Sequence, residues 1–290
     1  MMNRKLHDPN ITKEILKKYG FSLTKGLGQN FLIDGIVIEN TCDAAEITKE
    51  DCIIEIGPGI GTLTQYLCER AKKVVSIEID KDLIEIHKET LPYENLKIIY
   101  DDFMKMDLEK IIAEEFGDSK VKVVANIPYY ITTPIVMKIL EDRVKVESIT
   151  VMIQKEVAER FQSPPGNKQY GAISAVIQYY AKPVIKFIVP KTVFIPQPKV
   201  DSAVIVMNIY DKPPVDVKNE KLFFRLIKGA FGQRRKTIIN SVSGTIAEID
   251  KIELKEILEE LGYNPNLRGE TLGIQDFALI SNSLSKSKES

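Results

Sequence analysis

The chain has 290 residues, 44% of them hydrophobic, with a formal net charge of −1 and three cysteines, enough for one large domain with a smaller one or for two modest ones. No apolar run reaches the ~20 residues that span a bilayer, the N-terminus lacks the apolar stretch of a secretory signal, and Cys42, Cys52 and Cys68 form no C-x-x-C pair. The expectation is a soluble cytoplasmic protein with neither a disulfide scaffold nor a metal site.

The near-zero charge hides a sorted distribution. Residues 1–30 carry six Lys/Arg against two Asp/Glu, and residues 221–240 carry six against none, so the rest of the chain is acidic. Such segments can meet a polyanion; they can equally be solvated helix faces. Beyond the basic N-terminal stretch, β-branched runs at 52–57, 73–79, 96–100, 122–126 and 149–154 alternate with helical patterns at 62–73, 80–91 and 133–143. That alternation predicts an α/β domain: a mostly parallel sheet with helices on both faces. Runs at 182–189 and 201–210 follow, joined by a short connection, and predict an antiparallel closure that brings the sheet to seven strands. From Asp211 a proline-bearing linker leads to helical patterns at 220–231, 236–249, 251–261 and 273–284 without strand signals. The expected division is therefore 1–210 for the α/β domain and 211–290 for a small C-terminal α-helical domain.

Ligands of an open parallel sheet bind beyond the carboxyl ends of its strands. Four features fall there: Gly57-Pro58-Gly59-Ile60-Gly61, Glu78 with Asp80, Asp101-Asp102, and Asn126-Ile127-Pro128-Tyr129. Gly57, Glu78, Asp102 and Asn126 are spaced by 21, 24 and 24 residues, one βα unit each. The glycines let backbone approach a ligand, and Glu78 stands where a carboxylate accepts from both ribose hydroxyls. A nicotinamide fingerprint wants glycine or alanine at position 62, where Thr62 stands. The E-x-G-x-G-x-G form from Glu55 to Gly61 is instead the signature of S-adenosylmethionine (SAM) binding. Asp102 can accept from the adenine amine of that cofactor, or can simply cap the turn that follows it.

Asn126-Ile127-Pro128-Tyr129 is the most specific feature. An exocyclic adenine amine is a poor nucleophile because its lone pair is delocalised into the ring. The Asn126 side-chain carbonyl and the Ile127 backbone carbonyl can accept its two N–H bonds, favour a tetrahedral nitrogen and aim the lone pair at a sulfonium methyl. Pro128, with fixed φ and no N–H, stiffens the turn, and Tyr129 offers a ring to an extruded base. No side-chain base is needed, which suits a chain whose two histidines, His7 and His87, fall in helical stretches read as solvated.

On these residues the sequence resembles the ribosomal RNA adenine dimethyltransferases, and among them the small-subunit branch, the KsgA/RsmA family. The match extends over nearly the whole chain. It takes in Gly28-Gln29-Asn30-Phe31-Leu32 with Asp34, the glycine turn, Glu78-Ile79-Asp80, Asn126-Ile127-Pro128-Tyr129, Gln154-Lys155-Glu156-Val157, Tyr170-Gly171, Phe194 with the run from Pro196 to Val204, and Phe231 with Gln233-Arg234-Arg235-Lys236-Thr237. The resemblance implies a Rossmann-like SAM-dependent methyltransferase domain plus a small helical domain. It implies dimethylation of two adjacent adenosines in the 3′-terminal hairpin loop of 16S rRNA, on immature small ribosomal subunits. It implies SAM contacts from Asn30, Leu32, Gly57, Glu78, Asp102 and Asn126. It also implies that Phe194 faces Tyr129 across the target base, although Phe194 reads equally well as core. Lys13, Lys17, Lys18 and Lys25, with Arg234, Arg235 and Lys236, then become candidates for rRNA phosphates. The target base must be flipped or already unpaired. A monomer is expected. Two alternatives stand beside this reading: a 23S rRNA methyltransferase of the erythromycin-resistance type, and a ribosome-assembly factor that no longer methylates.

Overall fold

The computed structural model of the protein describes residues 5–20 and 28–287. In chain order it runs through α1 (Pro9–Lys18), β1 (Phe31–Leu32), α2 (Gly35–Ala44), β2 (Cys52–Ile56), α3 (Thr62–Arg70), β3 (Lys73–Glu78), α4 (Ile84–Thr90), β4 (Leu96–Tyr100), α5 (Leu108–Phe116), β5 (Val121–Asn126), α6 (Thr132–Glu141), β6 (Val146–Gln154), α7 (Lys155–Gln162), α8 (Ala172–Tyr180), β7 (Ala181–Val189), β8 (Phe194–Ile195), β9 (Ser202–Ile209), α9 (Glu220–Gly232), α10 (Ile238–Ser243), α11 (Lys251–Glu260) and α12 (Ile274–Ser287). No described helix is long and apolar enough to cross a membrane. Among the described residues no cluster of His, Cys, Asp and Glu could hold a metal ion, and the three cysteines are free and buried.

Seven strands form one sheet in the order β4-β3-β2-β5-β6-β9-β7. Strands β2 to β6 pair in parallel, and β9 pairs antiparallel with β6. Every residue of β2 is buried, as expected of a central strand covered on both faces, where apolar continuity replaces alternation. Helical crossovers from β2 build outward to β3 and β4, while β5 lies on the opposite side of β2. The direction of winding therefore reverses between β2 and β5, the position at which open α/β sheets leave a crevice for ligand. A separate two-stranded pair, β1 with β8, sets Phe31 opposite Ile195 and Leu32 opposite Phe194.

The seven runs expected from the sequence are the seven strands of the sheet. Helix α5 had not been anticipated, although Asp107 caps it through the Lys110 N–H at 3.0 Å and Leu108, Ile111, Ile112 and Phe116 bury one face. Such a cap is worth about 1 kcal/mol. In the last quarter, the expected helix over 236–249 is shorter: α10 ends at Ser243, before Gly244.

The chain divides into two compact units, Met1–Ala158 with Val184–Ile209, and Glu159–Pro183 with Tyr210–Ser290. The sequence placed 159–183 with the α/β domain. Tyr170, Ala175 and Tyr179 instead join the apolar core formed by Leu222, Phe223, Leu226, Phe277 and their neighbours, and the Tyr170 hydroxyl donates to the Leu272 carbonyl at 2.9 Å. Burial of these aromatics draws the segment into the second unit.

Candidate active site

The carboxyl ends of β2, β3, β4 and β5 open into one cleft. Its walls include Gly57 and Gly59, Glu78 and Ile79, Asp101 and Asp102, and Asn126 through Tyr130, while Gly28 to Leu32 close one side. All four strand-end features therefore meet. The order follows from topology: Glu78 and Asn126 are the last residues of β3 and β5, while Gly57 and Asp101-Asp102 directly follow β2 and β4, where the ladder ends and side chains turn toward the crevice.

On the cofactor side, the glycine turn is fixed by backbone hydrogen bonds, one to β3 and one within itself. The Gly57 N–H donates to Ile77 O at 2.9 Å and the Gly61 N–H to Pro58 O at 2.9 Å. Gly57 has φ +70°, and a Cβ there would meet no protein atom within 4 Å; the turn leaves open space beside it. Glu78, 4% exposed, accepts from the Gly59 N–H at 3.2 Å and the Asp80 N–H at 2.8 Å. Burial pushes its carboxyl up to about 7, against the pull of those backbone donors. Behind it, Glu55 is fully buried and accepts from the Ser76 hydroxyl at 2.6 Å, a contact made by register, since Glu55 lies opposite Ser76 on β3. Burial likewise pushes Glu55 up to about 7, with the Glu78 charge adding to the rise. Asp80 accepts from the Gln29 amide at 2.8 Å, joining the segment before β1 to the turn after β3.

His87 was read as solvated; it is 2% exposed. From the middle of α4 its Nε2 donates to Gly59 O of the glycine turn at 2.5 Å, and its Nδ1 accepts from the hydroxyl of Tyr100, at the end of β4, at 2.8 Å. Burial holds the imidazole toward its neutral form, the form that can donate at one nitrogen and accept at the other. The middle residue of the turn, Gly59, is thus gripped at its N–H by Glu78 and at its carbonyl by His87. His7 is also partly enclosed, its Nδ1 2.9 Å from the Tyr66 hydroxyl.

On the amine side, Asn126 closes β5. Its Nδ2 donates to the backbone carbonyl of Asn30 at 3.3 Å, and Asn30 Nδ2 donates to Gly28 O at 2.9 Å. With its nitrogen committed, Asn126 presents its oxygen as the group available to a donor. Ile127 is buried, and its N–H donates to Met152 O at 3.3 Å on β6. Pro128 takes φ −55° and ψ 134°, and its carbonyl receives the Ile131 N–H at 3.2 Å, which folds Tyr129–Ile131 into a short 3₁₀ turn. The half-buried Tyr129 ring is anchored at its tip by the Ser202 hydroxyl, 2.6 Å away at the start of β9; burial raises its phenol above the ordinary range.

Several expected site residues are placed differently. Phe194 is 3% exposed and packs in the core with Leu32, Val124, Met152 and Val204; it is not among the residues lining the cleft. Its pairing opposite Leu32 draws it inward, the core placement that the sequence left open. Asp102 lines the cleft and also caps the turn after β4, accepting from the Met104 N–H at 3.0 Å. Asn30 and Leu32 both line the cleft. Of the basic candidates, Lys13 and Lys17 are exposed, whereas Lys18 is paired with Glu89. Lys25 lies outside the described residues. Arg234 is used structurally: Nη2 donates to Lys168 O at 2.6 Å and Nε lies 3.6 Å from Glu270. Arg235 and Lys236 are exposed. His87, Ser202, Gln29 and Tyr130 had not been named as site residues. For Gln29 and Tyr130, adjacency to Asn30 and Tyr129 was the available signal; Ser202 fell within the run from Pro196 to Val204 without a role of its own, and nothing local marked His87.

Over residues 20–282 the chain matches the model of the family described as ribosomal RNA adenine dimethylase. It is 52% identical over 283 residues to the ribosomal RNA small subunit methyltransferase A of Alkaliphilus oremlandii, a match covering 97% of this chain and 99% of that protein. A protein of the same name from Bacillus pumilus is 49% identical over 289 residues, covering 98% and 99%. Among solved structures, a dimethyladenosine transferase from Plasmodium falciparum superposes with a TM-score of 0.75 at 25% identity, covering 89% of this chain and 98% of that one. The 23S rRNA methyltransferase ErmE gives a TM-score of 0.69 at 22% identity over 88% and 100%, a likeness of fold alone.

Proposed function

The chain belongs to the ribosomal RNA adenine dimethylase family, and from that premise we propose that it dimethylates N6 of two adjacent adenosines in the 3′-terminal hairpin loop of 16S rRNA. It is a SAM-dependent adenine dimethyltransferase of ribosomal RNA; the immature small subunit is the proposed substrate particle, and a single chain the acting unit. One observation carries the chemical reading. Asn126 is held by its nitrogen on the Asn30 carbonyl, so its oxygen is free to accept from an amine in the same cleft as Glu78 and the glycine turn.

The residues present suit the cofactor. The open space at Gly57 admits a ligand against backbone, Glu78 offers carboxylate oxygens to a ribose diol, and Asp102 stands at the cleft wall for an adenine amine. Leu32 and Asn30 complete the wall. When bound, SAM supplies an electrophilic methyl carbon on a sulfonium centre. The protein's part is alignment. Asn126 Oδ1 and the Ile127 carbonyl accept the two N–H bonds of the adenine amine, Pro128 fixes the turn, and Tyr129, steadied by Ser202, stacks on the extruded base. The amine becomes more acidic as it is methylated, so its proton leaves without a side-chain base. Lys13, Lys17, Arg235 and Lys236 are the proposed phosphate contacts. Reversing the charge of Arg235 and Lys236 should lower the dependence of log affinity on log salt by about 0.7–0.9 per lost contact; an unchanged slope measured by filter binding removes them from the RNA face.

The small-subunit assignment draws support from relatives about half identical over almost their whole length. Incubation of the purified protein with labelled SAM and small subunits lacking the modification tests it. Label on N6 of the two loop adenosines is expected. Label on 23S rRNA instead would favour the erythromycin-resistance type, and tight binding without label would favour an assembly factor.

A further inference from the structure

Two consecutive tyrosines follow Pro128 and have opposite surroundings. Tyr129 is half-buried and tied by its hydroxyl to Ser202. Tyr130 is 59% exposed yet lines the same cleft, and its hydroxyl makes no hydrogen bond among the described residues. A single exposed aromatic on a surface needs no explanation. This one has backbone packed against it. Gly28, at φ +58°, lies against the ring so closely that a Cβ there would sit 3.3 Å from Cδ1 and 3.6 Å from Cε1. The strap bearing Gly28 is laced to the amine-orienting residue, since Asn30 donates to Gly28 O and Asn126 donates to Asn30 O. The ring therefore lies against the segment that Asn126 holds, with much of its surface facing solvent at the cleft mouth.

We propose that Tyr130 is a stacking platform for the nucleobase next to the one being methylated, a base subsite at the rim of the cleft. The inference rests on the reading that the substrate is RNA with adjacent adenosines. Drawing one adenine into the cleft strips its neighbour of a stacking partner, and an aromatic ring already in position replaces that lost face without further ordering. Stacking is tolerant of base identity because every base presents a π face. Tyr130 accordingly contributes affinity for RNA rather than choice of sequence, and after the first adenosine is modified the same ring can receive whichever of the pair lies outside the cleft. The phenol oxygen is not required; the ring is.

The test uses the full-length protein, a synthetic RNA hairpin carrying the two loop adenosines, and the same hairpin with the neighbouring base removed to leave an abasic nucleotide. Binding is followed by fluorescence anisotropy and methyl transfer by labelled SAM. Tyr130→Ala should weaken hairpin binding about tenfold with SAM affinity unchanged, while Tyr130→Phe stays within about twofold of wild type. The abasic hairpin should bind the wild type about tenfold less well and the Tyr130→Ala variant no less well than the intact one, the pattern of a shared contact. Equal hairpin affinity for wild type and Tyr130→Ala, or an abasic penalty of the same size in both, overturns the platform while leaving the methyltransferase reading intact. Wild-type protein that binds the hairpin and small subunits but labels adenine in neither overturns that reading, and the platform with it.

Discussion

The turns that end β2 and β5 sit on neighbouring strands of one sheet and face one cleft, yet they are built in opposite ways. The glycine turn after β2 has its backbone groups taken up by protein: its N–H groups go to Ile77, Pro58 and Glu78, and its middle carbonyl goes to His87. It offers shape. The turn after β5 is held at a few points, by Asn126 on Asn30, Tyr129 on Ser202 and Ile131 on Pro128, and it keeps an amide oxygen and two aromatic rings at the cleft. It offers chemistry. A ligand used in the same pose at every turnover suits a preformed cradle; an amine that must change geometry as it reacts suits a side chain with one hand fixed and the other open.

That contrast predicts different losses on the two sides. Asn126→Ala removes the open acceptor, and the single-turnover rate should fall roughly 100- to 1000-fold, the scale of deleting one preorganised hydrogen-bonding group from a transition state. RNA affinity and melting temperature should stay near wild type; an undiminished rate would erase the distinction between the turns. Next in size is a pH effect on the cradle. With its carboxyl raised by burial to about 7, Glu78 is mostly neutral at pH 6 and mostly charged at pH 8. The charged form is the better acceptor for ribose hydroxyls, so SAM affinity measured by calorimetry should rise about tenfold between those pH values, and Glu78→Gln should flatten the profile. The same shift has the reverse sign for folding, because a carboxyl that prefers its neutral form in the fold costs stability as pH rises from its unfolded value through about 7. Smaller changes are expected at the two anchors. His87→Leu should weaken SAM binding about fivefold with kcat little altered, and His87→Gln should recover part of it, since it leaves the Gly59 carbonyl a donor. Ser202→Ala should lower kcat about threefold with SAM affinity unchanged. If the two variants affect the same kinetic constant, the turns are not separate devices.

Much of this was legible in the sequence, for identifiable reasons. Parallel strands buried on both faces read as apolar runs, and the strand-end turns declare themselves through residues with few other uses: glycines that must leave space, a proline that must fix φ, an asparagine beside it. The anchors were not legible because they act across the fold. His87 reaches Gly59 from 28 positions away, and Ser202 reaches Tyr129 from 73; neither has a local pattern that announces a partner. Phe194 was open to two readings, and its pairing with Leu32 places it in the core. Arg234 shows the limit of charge runs: three adjacent cations look alike in sequence, while one of them braces the Lys168 carbonyl. The segment 159–183 went to the second unit because its aromatics found their core there.

The claim on which all of this depends is that the Asn126 amide oxygen receives a hydrogen of the adenine amine. A crystal structure of the protein with an unreactive SAM analogue and adenosine measures it directly. The account predicts Asn126 Oδ1 at about 2.7–3.2 Å from the exocyclic nitrogen, with Nδ2 still on the Asn30 carbonyl. An adenine seated in the cleft with its amine turned toward other groups, and Oδ1 out of reach, would contradict it.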